Sequence, residues 1–218
     1  MQPDFWHERW RTGQIGFHQA TVSGGLEKHW PLIDAAGGGR VFVPLCGKSL
    51  DLEWLRERGC SVAGVDLSAI ALESFCMEHG IPARRRTEDG FDVYEAARLQ
   101  LYRGDFFALQ PQLLGACSAV YDRASLISWS PEIRARYVEK MTMLTAPGTQ
   151  TLLITLEYLQ EQMHGPPFSV SADDVRRLYG EHHEILQLAA SDILAGEPKL
   201  RSRGVTQLHE ACYRLIRR

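Results

Sequence analysis

Asp66 stands nineteen residues beyond Gly47, in the stretch RVFVPLCGKSLDLEWLRERGCSVAGVD that fills residues 40–66. In doubly wound α/β folds an acidic side chain about 20 residues past a glycine turn accepts hydrogen bonds from an adenosine ribose. That spacing predicts a nucleoside-containing cofactor. A dinucleotide needs a GxGxxG turn, whose amides face the pyrophosphate at a helix N-terminus, whereas residues 44–49 read PLCGKS with one glycine. A cofactor without phosphates needs no such nest, and S-adenosylmethionine is one. A purely structural turn beside a parallel strand has the same look, so the glycine alone does not decide. Asp105 and the pair Asp122-Arg123 also follow short apolar runs, at the strand ends where open α/β sheets bind ligands.

These residues need a particular scaffold. Apolar, partly β-branched runs at 40–45, 61–65, 100–103, 118–121, 150–157, 184–189 and 209–216 predict seven strands. Segments 49–58, 68–79, 131–144 and 171–179 predict helices, with Ser68 as a cap, Gly80 and Pro82 as stops, and Pro131 in a first turn. Strands that alternate with helices imply an α/β, Rossmann-like fold: a doubly wound, mostly parallel seven-stranded sheet. The last two strands suit a C-terminal antiparallel hairpin, which is the sheet of class I methyltransferases rather than of dehydrogenases.

Composition narrows the field. The chain has 218 residues, 44% of them hydrophobic, enough for one full core, so residues 1–218 are expected to form a single domain. A net charge of -3 gives no footprint for nucleic acid and favours small-molecule work. The five cysteines are scattered without a CxxC pair, which predicts neither a disulfide framework nor a thiolate zinc site. His182-His183 and His209-x-x-Cys212 lack a complete ligand set, so no metal is expected. The opening MQPDFWHERWRTG has no apolar core, and no run approaches the roughly 18 apolar residues of a spanning helix. A cytoplasmic protein without a membrane partner is the expectation.

Four motifs together resemble the thiopurine S-methyltransferase family: PLCGKSLD at 44–51, WxxRWxxGxxGFHQ at 6–19, YDRASL at 121–126 and HGPPF at 164–168. The likeness runs over nearly the whole chain. It implies S-adenosylmethionine as cofactor, S-adenosylhomocysteine as product, and aromatic or heterocyclic thiols such as thiopurines as acceptors. The family usually carries Glu where this chain has Asp66, a shorter acid with the same two oxygens.

The resemblance also implies roles. Leu45 and Gly47 form the turn against the methionine part of the cofactor, Asp66 holds the ribose, and Asp105 with Phe106 holds the adenine. Plain core packing is the alternative for Phe106. Residues 1–35 are expected to form a lid, with Trp10 over the cofactor and Phe17 near the acceptor; the bland alternative is a helix pinned by aromatic burial. His18 either contacts the acceptor or makes a structural hydrogen bond.

Methyl transfer from a sulfonium is an in-line displacement governed by alignment, and an acidic thiol is largely thiolate near neutral pH. The site then needs a cation that favours the anion. Arg123 is the leading candidate, with a share in cofactor binding, and Asp122 is either a base or the partner that orients Arg123. Lys199, in a basic cluster with Arg201 and Arg203, is a further substrate-binding candidate. A monomer acting on a small thiol is expected. Two alternatives remain at this point: a methyltransferase for selenium, tellurium or other small anions, and a non-catalytic module that only binds S-adenosylmethionine.

Overall fold

A computed structural model describes residues 3–33 and 38–218. It divides into two compact units, one ending at Tyr121 and one beginning at Asp122. The first carries α1 (Pro3–Arg11), α2 (Gly24–His29), β1 (Arg40–Val43), α3 (Leu50–Glu57), β2 (Ser61–Asp66), α4 (Ala69–Glu78), β3 (Arg84–Glu88), β4 (Phe91–Ala96), β5 (Leu99–Arg103), α5 (Pro111–Leu114) and most of β6 (Ala119–Arg123). The second carries α6 (Pro131–Leu144), β7 (Gln150–Glu157), α7 (Ala172–Tyr179), β8 (His183–Asp192), α8 (Pro198–Ser202) and β9 (His209–Arg217).

In the first unit the strands lie in the order β3-β4-β5-β2-β1-β6. The β5-β2-β1-β6 portion is parallel, with Val62 opposite Leu99, Val41 opposite Val62, and Val41 also opposite Ala119. The chain moves outward from β1 through β2 to β5, then returns to place β6 on the other side of β1. This reversal is the switch point at which such sheets open a crevice, and the PLCGK turn leaves β1 there. Capping explains where the flanking helices begin. Ser49 Oγ accepts from the Asp51 amide at the start of α3, and Ser68 Oγ accepts from the Ala71 amide at the start of α4. The buried Leu52, Trp54 and Leu55 of α3, and Leu72 and Phe75 of α4, supply the apolar face of each helix.

The second unit is built on β7, whose first six residues are all buried. Its strand order is β7-β9-β8, and β9 runs antiparallel to both neighbours. The connection from β8 to β9 holds α8, so the antiparallel pair is not a tight hairpin. Leu200 of α8 packs with Val205, Leu208, Tyr158 and Met163 in a separate apolar cluster.

All seven expected strands are present, and the described residues contain two more, β3 and β4. These form an antiparallel hairpin joined to β5, with Glu88 opposite Phe91 and Val93 opposite Tyr102. Its turn is Asp89-Gly90, with φ of 49° and 81°. Two successive positive φ values suit a two-residue hairpin whose twist matches its strands. Of the expected lid, residues 1, 2, 34 and 35 lie outside the described residues.

Candidate active site

The turn after β1 is held from beneath by β2. The Cys46 amide donates to the Val65 carbonyl at 3.0 Å, and the Gly47 amide donates to Asp66 Oδ2 at 2.8 Å. Leu45 and Gly47 both take positive φ, 44° and 53°. Gly64 in β2 makes this close seating possible, because a Cβ there would stand 2.7 Å from Cys46 Sγ and 2.9 Å from Leu101 Cδ2. The second Asp66 oxygen, Oδ1, accepts from the Ser68 amide at 2.8 Å. One carboxylate thereby joins the PLCGK turn to the start of α4. Burial pushes its pKa up to about 6, against the opposing pull of the Ser68 and Gly47 amides.

Trp10, on α1, is buried, and its ring covers Gly47: a Cβ on Gly47 would lie 3.1 Å from the indole. Phe17 stacks edge-on against Trp10 at 5.5 Å and against Trp6 at 5.4 Å, while remaining 37% exposed. His18 is half-buried, and its amide donates to the Ile15 carbonyl at 2.8 Å. Asp105 sits one strand over, since the Gly104 amide donates to the Asp66 carbonyl at 3.0 Å. Asp105 Oδ1 accepts from the Phe107 amide, capping a short turn over Phe106–Ala108. Phe106 is buried beneath that turn and Phe107 is half-buried. Trp10, Leu45, Gly47, Asp66 and Asp105 are thus gathered around the switch point of the first unit.

The residues fit an adenosine-containing sulfonium cofactor. The Asp66 oxygens accept from the Gly47, Ser68 and Leu67 amides, and a carboxylate offers about four acceptor sites, so capacity remains for a ribose hydroxyl. The turn carries one glycine and no run of amides directed at a phosphate.

In the second unit Asp122 is 1% exposed. The Tyr137 hydroxyl donates to its Oδ2 at 2.7 Å and the Leu126 amide to Oδ1 at 3.4 Å. Burial pushes this carboxyl to about pKa 6, with the Tyr137 hydrogen bond opposing. Its contacts hold the YDRASL turn, where Ala124 takes a φ of 65°. Arg123 ends β6 half-buried, and its charge draws down the pKa of Glu210, which burial raises. Lys199 lies exposed on α8 with Arg201. Among the described residues, no group of three or more His, Cys, Asp and Glu side chains is placed to hold a metal.

Sequence reasoning missed two buried polar groups. Arg134 of α6 donates from Nε to the Trp129 carbonyl at 3.1 Å and from a terminal nitrogen to the Ser169 carbonyl at 2.8 Å. It clamps the loop after β6 to the end of the GPPF loop, where the Phe168 amide also donates to the Ile127 carbonyl at 2.7 Å. The other is Asp51, whose oxygens accept from the Ser23 amide at 2.9 Å and the Tyr121 hydroxyl at 2.8 Å. A buried arginine or aspartate inside a helix leaves little signal, because its partners are remote in sequence.

An open sheet that reverses direction at a phosphate-free cofactor turn, with an acid closing the next strand, defines a class I S-adenosylmethionine-dependent methyltransferase. The fold is shared with an S-adenosylmethionine-dependent methyltransferase from Anabaena variabilis, at a TM-score of 0.65 and 16% identity over 99% of this chain and 95% of that one. The model of the thiopurine S-methyltransferase family matches residues 1–218, and the chain belongs to that family. It is 44% identical to the thiopurine S-methyltransferase of Shewanella amazonensis over the full length of both chains. Against the enzyme of that name from Methylococcus capsulatus the identity is 47%, over 98% of this chain and 96% of the other. The chain is accordingly a methyltransferase whose cofactor is S-adenosylmethionine.

Proposed function

We propose that this chain methylates the sulfur of aromatic and heterocyclic thiols, thiopurines among them, as a monomer of one functional domain in the cytoplasm. The observation that carries the reading is the Gly47–Asp66 hydrogen bond beneath the Trp10 ring, in a chain of this family. S-adenosylmethionine, when bound, would supply an electrophilic methyl on a sulfonium to the acceptor sulfur and leave as the neutral thioether S-adenosylhomocysteine. Leu45 and Gly47 seat the methionine part by their backbone. Asp66 accepts from the ribose hydroxyls, and Asp105 with Phe106 holds the adenine. Trp10, Phe17 and His18 belong to a lid, residues 1–35, that excludes water from a charged donor and an anionic acceptor. Arg123 favours the thiolate form of the acceptor and contributes to cofactor binding; Asp122 acts by holding the turn that carries Arg123, and Lys199 assists an anionic substrate. The modest net charge supports a small-molecule substrate, and among the described residues no helix is long and apolar enough to cross a membrane.

Calorimetry with S-adenosylhomocysteine and product analysis with a thiopurine test the reading together. Binding accompanied by an S-methylated product is the expected result. Binding without transfer to any thiol would reduce the protein to a cofactor-binding module. In the Arg123→Ala variant, turnover or acceptor KM is expected to suffer about tenfold or more, with a smaller change in cofactor affinity.

A further inference from the structure

Between Arg11 and Gly24 the chain forms neither helix nor strand, and most of its side chains are exposed. Such a segment keeps its position through side-chain and backbone contacts rather than through a helix or strand ladder. Towards its start the Trp10 ring lies against Gly47, and Phe17 packs on Trp10 and Trp6. At its end Ser23, buried, caps α2 with its hydroxyl and donates its backbone amide to Asp51. The Trp10 and Ser23 contacts both fall on the same eight-residue stretch, PLCGKSLD, one on its glycine and one on its last residue.

The Asp51 carboxylate is suited to more than packing. It is 1% exposed, and its two oxygens face donors 28 residues back and 70 residues ahead in the chain. Tyr121, the second donor, immediately precedes Asp122 and Arg123. Hydrogen bonds to an ionised acceptor are about twice as strong as neutral ones, and a carboxylate in the first turn of α3 also suits the helix dipole. A neutral amide in its place could accept at only one atom.

We propose that Asp51 is a positioning residue: it latches the N-terminal segment to the cofactor turn, so that cofactor affinity depends on a side chain that does not itself touch the cofactor. The proposal rests on the reading of this turn as the S-adenosylmethionine site. Losing the latch loosens the end of this segment nearest Ser23, and the cofactor must then order it at the expense of its own affinity.

The test compares Asp51→Asn, Trp10→Ala and the double variant in S-adenosylhomocysteine calorimetry, with deuterium uptake by residues 12–22. Asp51→Asn is expected to weaken binding about tenfold, the scale of one charge-assisted hydrogen bond, and to speed exchange in that segment. In the double variant the Asp51 effect should largely vanish, because Trp10→Ala has already released the same segment. Additive losses, or an Asp51→Asn protein that melts earlier but binds as tightly as the wild type, would overturn the latch. If Asp51→Asn does not fold, Tyr121→Phe removes one donor to the same carboxylate while leaving the Ser23 bond, and a smaller loss of affinity with faster exchange in that segment is expected; no change in either would overturn the latch. A wild-type protein that fails to bind S-adenosylhomocysteine overturns the cofactor reading instead, and the latch is then judged by exchange alone.

Discussion

At Asp66 two requirements compete for one carboxylate. Its oxygens already serve the Gly47 and Ser68 amides, and the Asp side chain is one methylene shorter than the Glu usual in the family. The charged form is disfavoured by burial, which raises its pKa to about 6. In the proposed site, ribose hydroxyls donate to the ionised form, so cofactor binding should draw that pKa back down. Affinity for S-adenosylhomocysteine is therefore expected to be constant above about pH 7 and to fall as pH drops through 6. Asp66→Asn should bind more weakly, by about tenfold, and lose that pH dependence. An Asn variant whose calorimetric affinity equals that of the wild type at pH 7.5 would remove Asp66 from the site.

Among the elements, loops that carry site residues are fixed by side chains on neighbouring helices and strands. Arg134 of α6 ties the Trp129 carbonyl to the Ser169 carbonyl, while the Tyr158 hydroxyl donates to the Pro167 carbonyl at 2.7 Å. Arg134→Met keeps apolar bulk but strands two carbonyls, and should cost about 2–4 kcal/mol of stability by denaturant unfolding. Because the loop after YDRASL is held by this arginine, acceptor KM should rise while S-adenosylhomocysteine affinity stays near that of the wild type. Equal losses in both would make Arg134 a residue of stability alone.

The elements also show what a linear reading can see. Strands such as β1, β2 and β7 announce themselves because nearly every residue faces apolar neighbours, and Ser49, Ser68 and Ser171 mark helix starts by chemistry local to the chain. The β3–β4 hairpin hides because RRRTE is mostly exposed, with Arg85 paired to Glu73 and Arg86 to Glu88 and Glu95. Only Phe91, Val93 and Tyr94 are buried there, and the Asp89-Gly90 turn was the one available signal. The place of Asp66 at the end of β2, bonded to the Gly47 amide, was legible through its spacing from that glycine. Asp51 and Arg134 were not, since their roles exist only once Ser23, Tyr121, Trp129 and Ser169 have been brought to them.

For the molecule as a whole, three buried groups oppose one another with pH. Asp66 and Asp122 have folded pKa values near 6, above the ordinary 3.8, so the stability they contribute is full below about pH 4 and is lost as pH rises through 6. Burial pushes His183 down to about 4, so its contribution is full above about pH 6.5 and is lost as pH falls through 4. Between pH 7 and pH 5 the two trends offset, and the wild-type melting temperature should change little. His183→Gln removes one side of the balance. Its melting temperature, whatever its absolute value, is expected to rise as pH falls from 7 to 5; a fall over that range would contradict the carboxylate assignments.

The β3 strand lies at one end of the sheet order, with three consecutive arginines and mostly exposed side chains. A sheet's end strand offers unpaired amides and carbonyls to any extended chain that approaches it, and clustered charge is a common deterrent. Here the deterrent is electrostatic rather than geometric. It weakens as the screening length shrinks, from about 10 Å at 0.1 M salt to about 3 Å at 1 M. Colloidal behaviour in concentrated salt is thus tied to a hairpin remote in sequence from the methyl-transfer motifs, and acidic substitutions at Arg84 or Arg85 would alter solubility without touching the cofactor turn.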